Sequence, residues 1–186
     1  MRVLSNIKVY GIEDSIRAAK FPKAVDIDSL TDELTEGIKS LGHSDPGTGH
    51  DQFLTGIIAQ FDVTFSIKLW TEAERYHWFD FVSSQSTMHR VTKFMPENQC
   101  NEYVDERVIQ VLWDKIHAYE DNPTPENYLA VLFNVPVGFR LTARMTTNYR
   151  QLKTMRLQRK GHRLPEWKQF CKEIEALPRF LELTEE

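Results

Sequence analysis

The chain has 186 residues, 41% of them hydrophobic, and a net charge of −4. That is enough for one domain with a sizeable core, and the acidic balance argues against a broad nucleic-acid-binding surface. No run of about 18 apolar residues occurs, so no membrane-spanning helix is expected. The opening residues, Met-Arg-Val-Leu-Ser-Asn-Ile-Lys, lack the apolar stretch of a signal peptide. Two cysteines, Cys100 and Cys171, make neither a disulfide framework nor a metal cluster. A reduced, cytoplasmic setting without a metal is the simplest expectation.

In chain order, residues 28–41 read as a helix, with Asp28 as N-cap and Leu30, Leu34, Ile38 and Leu41 on one face. Residues 42–52 form a turn-rich loop. Their three glycines fit no phosphate-loop spacing, so a flexible loop beside a site is expected. Over residues 57–69, Phe61, Val63, Phe65, Ile67 and Leu69 alternate with Asp62, Thr64, Ser66 and Lys68, which predicts a half-buried antiparallel strand. Residues 71–83 look helical. Residues 103–120 predict a long amphipathic helix carrying Val104, Val108, Leu112, Trp113 and Ile116. Thr124-Pro125-Glu126 marks another helix start. Residues 139–147 alternate again: Phe139, Leu141, Ala143 and Met145 point inward, while Arg140, Thr142 and Arg144 share the other face. Cys171 falls on the stripe Trp167, Phe170, Cys171, Ile174, which predicts a buried thiol. Without linker or repeat, the expected architecture is a single α+β domain over residues 1–186, an antiparallel sheet with surrounding helices.

The most informative stretch is residues 146–159. Read as a helix, at about 100° per residue, it puts Asn148, Leu152, Met155 and Arg159 on one narrow stripe. The apolar pair faces the core, and a polar head stands at each end. A planar guanidinium in that place suits an anion or a flat polar ring. The competing reading is an amphipathic helix whose ends reach solvent.

Asn148-x-Arg150-x-Leu152 followed by Leu157-x-Arg159 resembles the pattern near the C-terminus of the flavin-dependent thymidylate synthases. Before it, Val135-Pro136 and then Phe139 to Met145 look like that family's Leu-Pro and following strand. After it, Glu166-Trp167 resembles Ala-Gln-Trp-Glu with one residue inserted. Upstream, Ser15-Ile16-Arg17-Ala18-Ala19-Lys20 is similar to Val-Arg-Ala-Ala-Arg. Gly49-His50-Asp51, followed by Ile57 and Phe61, looks like the Gly-His-Glu segment and the strand behind it. The pieces occur in family order across residues 15–175.

The family signature Arg-His-Arg, two residues, Ser, one residue, Asn, Glu, one residue, Ser, one residue, Arg is altered here. Counting back from Arg90, Ser83 is kept, Gln85 replaces Asn, Ser86 replaces Glu and Met88 replaces the second Ser. The triad then falls on Trp78-Phe79-Asp80. A three-residue insertion would instead put Arg75-Tyr76-His77 there, and both alignments stay open. The first removes two positive charges and adds a negative one beside a phosphate-bearing ligand. At an effective dielectric near 20, unit charges about 4 Å apart interact by roughly 4 kcal/mol. Arg75, Arg140, Arg144 and Lys153 are the candidate replacement cations. The family's nucleotide-contacting arginine on the second strand aligns with Thr142, flanked on the same face by Arg140 and Arg144.

The resemblance implies a thymidylate synthase complementing protein-like domain. Its activity would be C5 methylation of a pyrimidine deoxynucleotide, dUMP to dTMP or a close variant. FAD would be the cofactor, with NADPH and methylenetetrahydrofolate as co-substrates. Neither cysteine would be needed, because the cofactors carry the hard chemistry. Arg159 matches the catalytic arginine that binds the pyrimidine. Arg90 matches a phosphate-binding arginine, with Ser83, Gln85 and Ser86 on the same substrate-binding loop and Arg140 and Arg144 as further substrate-side cations. Asn148 and Arg150 match flavin-contacting positions, His50 a histidine beside the flavin, and Arg75 and His77 the signature cations in the inserted alignment. Each has a plainer reading: an N-cap for Asn148, a turn residue for His50, a loop ion pair for Arg90, and a packing or surface position for His77. The family also implies a homo-oligomer, specifically a homotetramer. The alternatives are a divergent pyrimidine nucleotide hydroxymethylase and a non-catalytic nucleotide-binding homologue that has lost flavin.

Overall fold

Strands appear where apolar and polar residues alternate, and helices begin where a side chain can cap them. The computed structural model describes residues 2–185. Its elements are β1 (Leu4–Tyr10), α1 (Ile12–Ala18), α2 (Glu36–His43), β2 (Ile58–Ser66), α3 (Ile67–Ala73), β3 (Phe79–Ser84), α4 (Thr87–Arg90), α5 (Pro96–Gln99), α6 (Glu106–Asp121), α7 (Pro125–Leu132), β4 (Arg140–Asn148), α8 (Tyr149–Arg159), α9 (Pro165–Ile174) and α10 (Phe180–Thr184), with 3-10 turns over His50–Gly56. The strands form one antiparallel sheet in the order β1-β2-β4-β3, surrounded by helices as expected.

The chain makes two compact units. The first holds residues up to Asp62, Tyr76–Val82 and the residues from Arg144 onward; the second holds Val63–Arg75 and Ser83–Ala143. In the first, Phe61, Phe79, Phe170 and Trp167 interlock edge to face or tilted, with centroids 5.7–6.3 Å apart. Leu152, Met155 and Ile174 are fully buried with them. Cys171 is buried as predicted, and desolvation pushes its thiol up to about 11. In the second, Leu112, Ile116, Val131 and Phe139 are the centre of a core closed by Val91 and Cys100. Thr124 caps α7 by accepting from the Asn127 N–H, and Asp105 caps α6 through Arg107 N.

Four expectations are corrected. The helix expected over 28–41 exists only as Glu36–His43, and Asp28 caps nothing. The Asp28 N–H instead bonds the Asp26 carboxylate, and the Ser29 hydroxyl bonds the Asp26 carbonyl. Such local bonds compete with a helix. Arg17 and Lys20 then hold the carbonyls of Ile27, Leu30 and Thr31 in the irregular path. The second strand stops at Ser66, whose hydroxyl accepts from Leu69 N and starts α3, so Ile67 and Leu69 are helical. The helix expected over 71–83 ends at Ala73. Trp78 takes a left-handed backbone (φ 62°), and β3 follows at the sheet edge. Only Phe79 of that strand is buried, so its periodicity is too weak to read. Val108, expected on the inner face of α6, is exposed.

Candidate functional site

Helix α8 organises the first unit. Asn148 ends β4 in extended geometry, and its side-chain oxygen accepts from Gln151 N, capping the helix. The plainer reading of Asn148 is therefore real. The cap uses only the side-chain carbonyl, which leaves the amide NH₂ available as a donor. Asn148, Arg150, Gln151 and Thr154 line one side of a cleft of about 560 Å³. Asp51, Gln52, Thr55 and the exposed indole of Trp78 are among its other lining residues. That size suits a small-molecule site.

Arg150 is held in place from behind. Its Nε donates to Asp51 Oδ1 at 2.8 Å and its Nη1 to Gln52 Oε1 at 2.8 Å. Its Nη2 makes no hydrogen bond among the described residues, and the Arg150 side chain is 30% exposed. Asp51 itself is only 1% exposed and takes a second cation, Lys153 Nζ, at 3.1 Å on Oδ2. Lys153 spends its other two N–H groups on the carbonyls of Gly42 and Ser44. Gly42 ends a helix pressed against the C-terminal segment: a Cβ there would lie 2.1 Å from the Leu183 carbonyl. His50 is exposed beside the neighbouring, mostly apolar cleft of about 760 Å³ that includes Lys20, Lys23, Ile38, Leu41 and Phe53.

At the other end of α8, Arg159 is cradled by aromatic rings. Its guanidinium carbon lies 5.1 Å from the Trp167 centroid and 5.5 Å from that of Tyr76. Its Nε donates to the Tyr76 hydroxyl at 2.7 Å, and that hydroxyl donates to Gln158 Oε1 at 2.8 Å. Arg159 follows Arg150 by nine residues, roughly 13 Å along the axis and half a revolution round it. The two guanidiniums thus serve opposite faces. His77 is exposed, and Phe79 belongs to the aromatic core.

Arg144 is occupied: its Nη1 donates to Asn6 O at 2.7 Å and to Asp62 Oδ1 at 3.2 Å. The Asn6 amide, with Arg144 behind it, holds the Asp62 carboxyl below the usual carboxylate range.

The remaining candidates lie in the second unit. Arg140 pairs with Glu102 at 3.2 Å, and its buried Nε has no acceptor among the described residues. Ser83, Gln85 and Arg90 are exposed and Ser86 is half-buried. Gln85 is fixed by Thr142 in both directions: its N–H donates to Thr142 O at 2.9 Å, and its Oε1 accepts from Thr142 N at 2.8 Å. Thr142, on the same sheet face as Arg140, shares a hydroxyl contact with Thr64 at 2.8 Å. Of the four replacement cations, Arg140, Arg144 and Lys153 are engaged, and Arg75 is exposed.

Asp51, Gln52, Tyr76 and Trp167 were not among the residues that sequence assigns to a site. The signal for the first was present: Arg150 and Lys153 stand three apart on one helix face, which calls for a shared anion. No group of His, Cys, Asp or Glu side chains able to hold a metal occurs among the described residues, and no helix there is long and apolar enough to cross a membrane.

No protein-family model and no curated protein sequence matches the chain. Solved structures do. A flavin-dependent thymidylate synthase ThyX from Helicobacter pylori, complexed with FAD and dUMP, superimposes with a TM-score of 0.77 at 15% identity, over 98% of this chain and 96% of that one. A second structure of ThyX from Helicobacter pylori with FAD and dUMP gives 0.74 at 15% identity, over 98% and 95%. A UMP/dUMP methylase, PolB, from Streptomyces cacaoi bound with 5-Br dUMP gives 0.66 at 16% identity, over 99% and 94%. The chain therefore has the fold of the flavin-dependent thymidylate synthases, the family its scattered motifs resemble.

Proposed function

We propose that this protein is an enzyme that methylates C5 of a pyrimidine deoxynucleotide, dUMP or a close variant, with FAD as cofactor and methylenetetrahydrofolate and NADPH as co-substrates. The observation that carries this reading is helix α8, which ends in a ligand-facing donor set at one terminus and an aromatic-cradled guanidinium at the other. The fold likeness to structures holding FAD and dUMP supports it.

The cleft at the N-terminal end of α8 fits a flavin. The Asn148 amide and Arg150 Nη2 offer hydrogen-bond donors to ring carbonyls or a phosphate, and Trp78 offers a flat apolar surface. Bound and reduced flavin would supply the hydride, and methylenetetrahydrofolate the one-carbon unit. The protein's own part is positioning and polarisation. Arg159, set by Tyr76 and Trp167, binds the pyrimidine and stabilises negative charge as it grows on the ring oxygens. It needs no rearrangement to do so, because its Nε is already fixed. In the second unit, Arg90, Ser83 and Gln85 are the proposed contacts to a nucleotide's phosphate and sugar.

Arg150 and Arg159 leave one helix on opposite faces, roughly 13 Å apart along its axis. This favours a homo-oligomer, a homotetramer on the family pattern, whose sites draw on more than one copy. The methylase acting on UMP as well as dUMP among the structural neighbours makes the sugar worth testing. The experiment incubates the protein with FAD, NADPH, methylenetetrahydrofolate and either dUMP or UMP, and reads the product mass. A gain of one methyl supports the proposal. A hydroxymethyl product would move it to the hydroxymethylase reading, and unchanged nucleotide with flavin bound would overturn the enzyme assignment.

A further inference from the structure

The buried ion cluster beneath the cleft supplies the inference. A carboxylate that is 1% exposed holds two cations, one from each of two positions a helical turn apart. Lys153 is itself 5% exposed on its side chain, and all three of its N–H donors are matched, to Gly42 O, Ser44 O and Asp51 Oδ2. Gly42 lies in the last turn of α2, where backbone carbonyls lack helical partners and a cation is favoured. The ammonium therefore satisfies α2's C-terminus, the loop that follows it and Asp51 at once. Asp51 in turn spends one oxygen on Lys153 and the other on Arg150.

We infer that Asp51 is a positioning residue: backed by Lys153, it fixes the Arg150 guanidinium with Nη2 toward the cleft, so that an acceptor-rich or anionic ligand meets a donor already in place. The inference rests on the reading of the cleft as a flavin site and goes beyond it by assigning the buried carboxylate behind the site. The charges point the same way. Two cations share one carboxylate, which leaves one net positive charge at the cleft wall, and a neutral or cationic ring gains nothing from it. Fixing the fork in advance also removes part of the ordering cost of binding.

The test is FAD affinity, by quenching of flavin fluorescence, for the unmodified protein and for Asp51→Asn, Arg150→Gln and the double variant, with thermal unfolding recorded for each. Asp51→Asn keeps the shape and removes the charge. It is expected to weaken FAD binding roughly tenfold or more and to change the shape of the bound flavin's absorption band. On the Arg150→Gln background it should have no further effect, since a positioning residue acts through its partner. Additive losses, or affinity unchanged in Asp51→Asn, would overturn the proposal while leaving the flavin reading intact. Absence of FAD uptake by the unmodified protein would overturn both. If Asp51→Asn does not fold, Gln52→Ala decides when compared alone and on the Arg150→Gln background, where removal of the Nη1 anchor has nothing left to act on. A several-fold loss at unchanged thermal stability supports the inference, and no change contradicts it.

Discussion

The two ends of helix α8 hold a guanidinium by different means. Arg150 is held by charge, through a buried carboxylate that a second cation shares. Arg159 lies against two rings and donates from Nε to a phenol hydroxyl. The first device is stiff, but it puts a counter-charge next to the arginine and so dilutes its field. The second sets the guanidinium against two ring faces and anchors Nε on a neutral hydroxyl. A residue meant to seat a cofactor tolerates the first. A residue meant to stabilise charge that appears only in a transition state benefits from the second.

The comparison can be broken from either end. The largest effect expected is on stability: Lys153→Met takes the donor shared by Gly42, Ser44 and Asp51, and should cost about 3 kcal/mol or more in urea unfolding. A cost under about 1 kcal/mol would mean that the cluster is hydrated and not buried as described. Next, Arg159→Gln should lower nucleotide methylation by about 10²–10³-fold with FAD affinity nearly unchanged. An equal fall in FAD affinity would merge the two ends into one site. Tyr76→Phe removes the acceptor for Arg159 Nε but keeps the ring, so a loss of roughly tenfold in kcat/KM is expected, with Tm unchanged. The smallest effect concerns Asp62, whose lowered carboxyl pKa places its contribution above the ordinary value of 3.8 and removes it as the pH falls below that. Asp62→Asn should flatten the acid limb of the stability curve by less than about 1 kcal/mol and leave activity alone. If Arg144 is a nucleotide ligand, freeing it in that variant will instead change KM.

How far the sequence reaches follows the same division. Alternation exposed β2 and β4, because their buried faces carry Phe61, Val63, Phe65, Ala143 and Met145 without interruption. The stripe Asn148, Leu152, Met155 and Arg159 marked α8, with Leu152 and Met155 fully buried, but residues 146–148, read as helix, end β4 instead. Edge strands β1 and β3 were invisible, since most of their side chains meet solvent and carry no period. The Arg159 cradle was half legible: Trp167 and Tyr76 were recognisable as aromatic, but their convergence depends on a contact across 91 positions, from the ring of Tyr76 to that of Trp167. Asp51 was read only as the end of a Gly-His-Asp resemblance, because nothing local announces that a loop carboxylate will be buried under a helix met about 100 residues later.

The measurement that tests the central claim most directly is the visible spectrum of the purified protein, desalted after incubation with FAD and then titrated with dUMP. A flavin-dependent nucleotide enzyme retains a flavin band that dUMP perturbs. No retained flavin, with or without dUMP, would contradict that assignment.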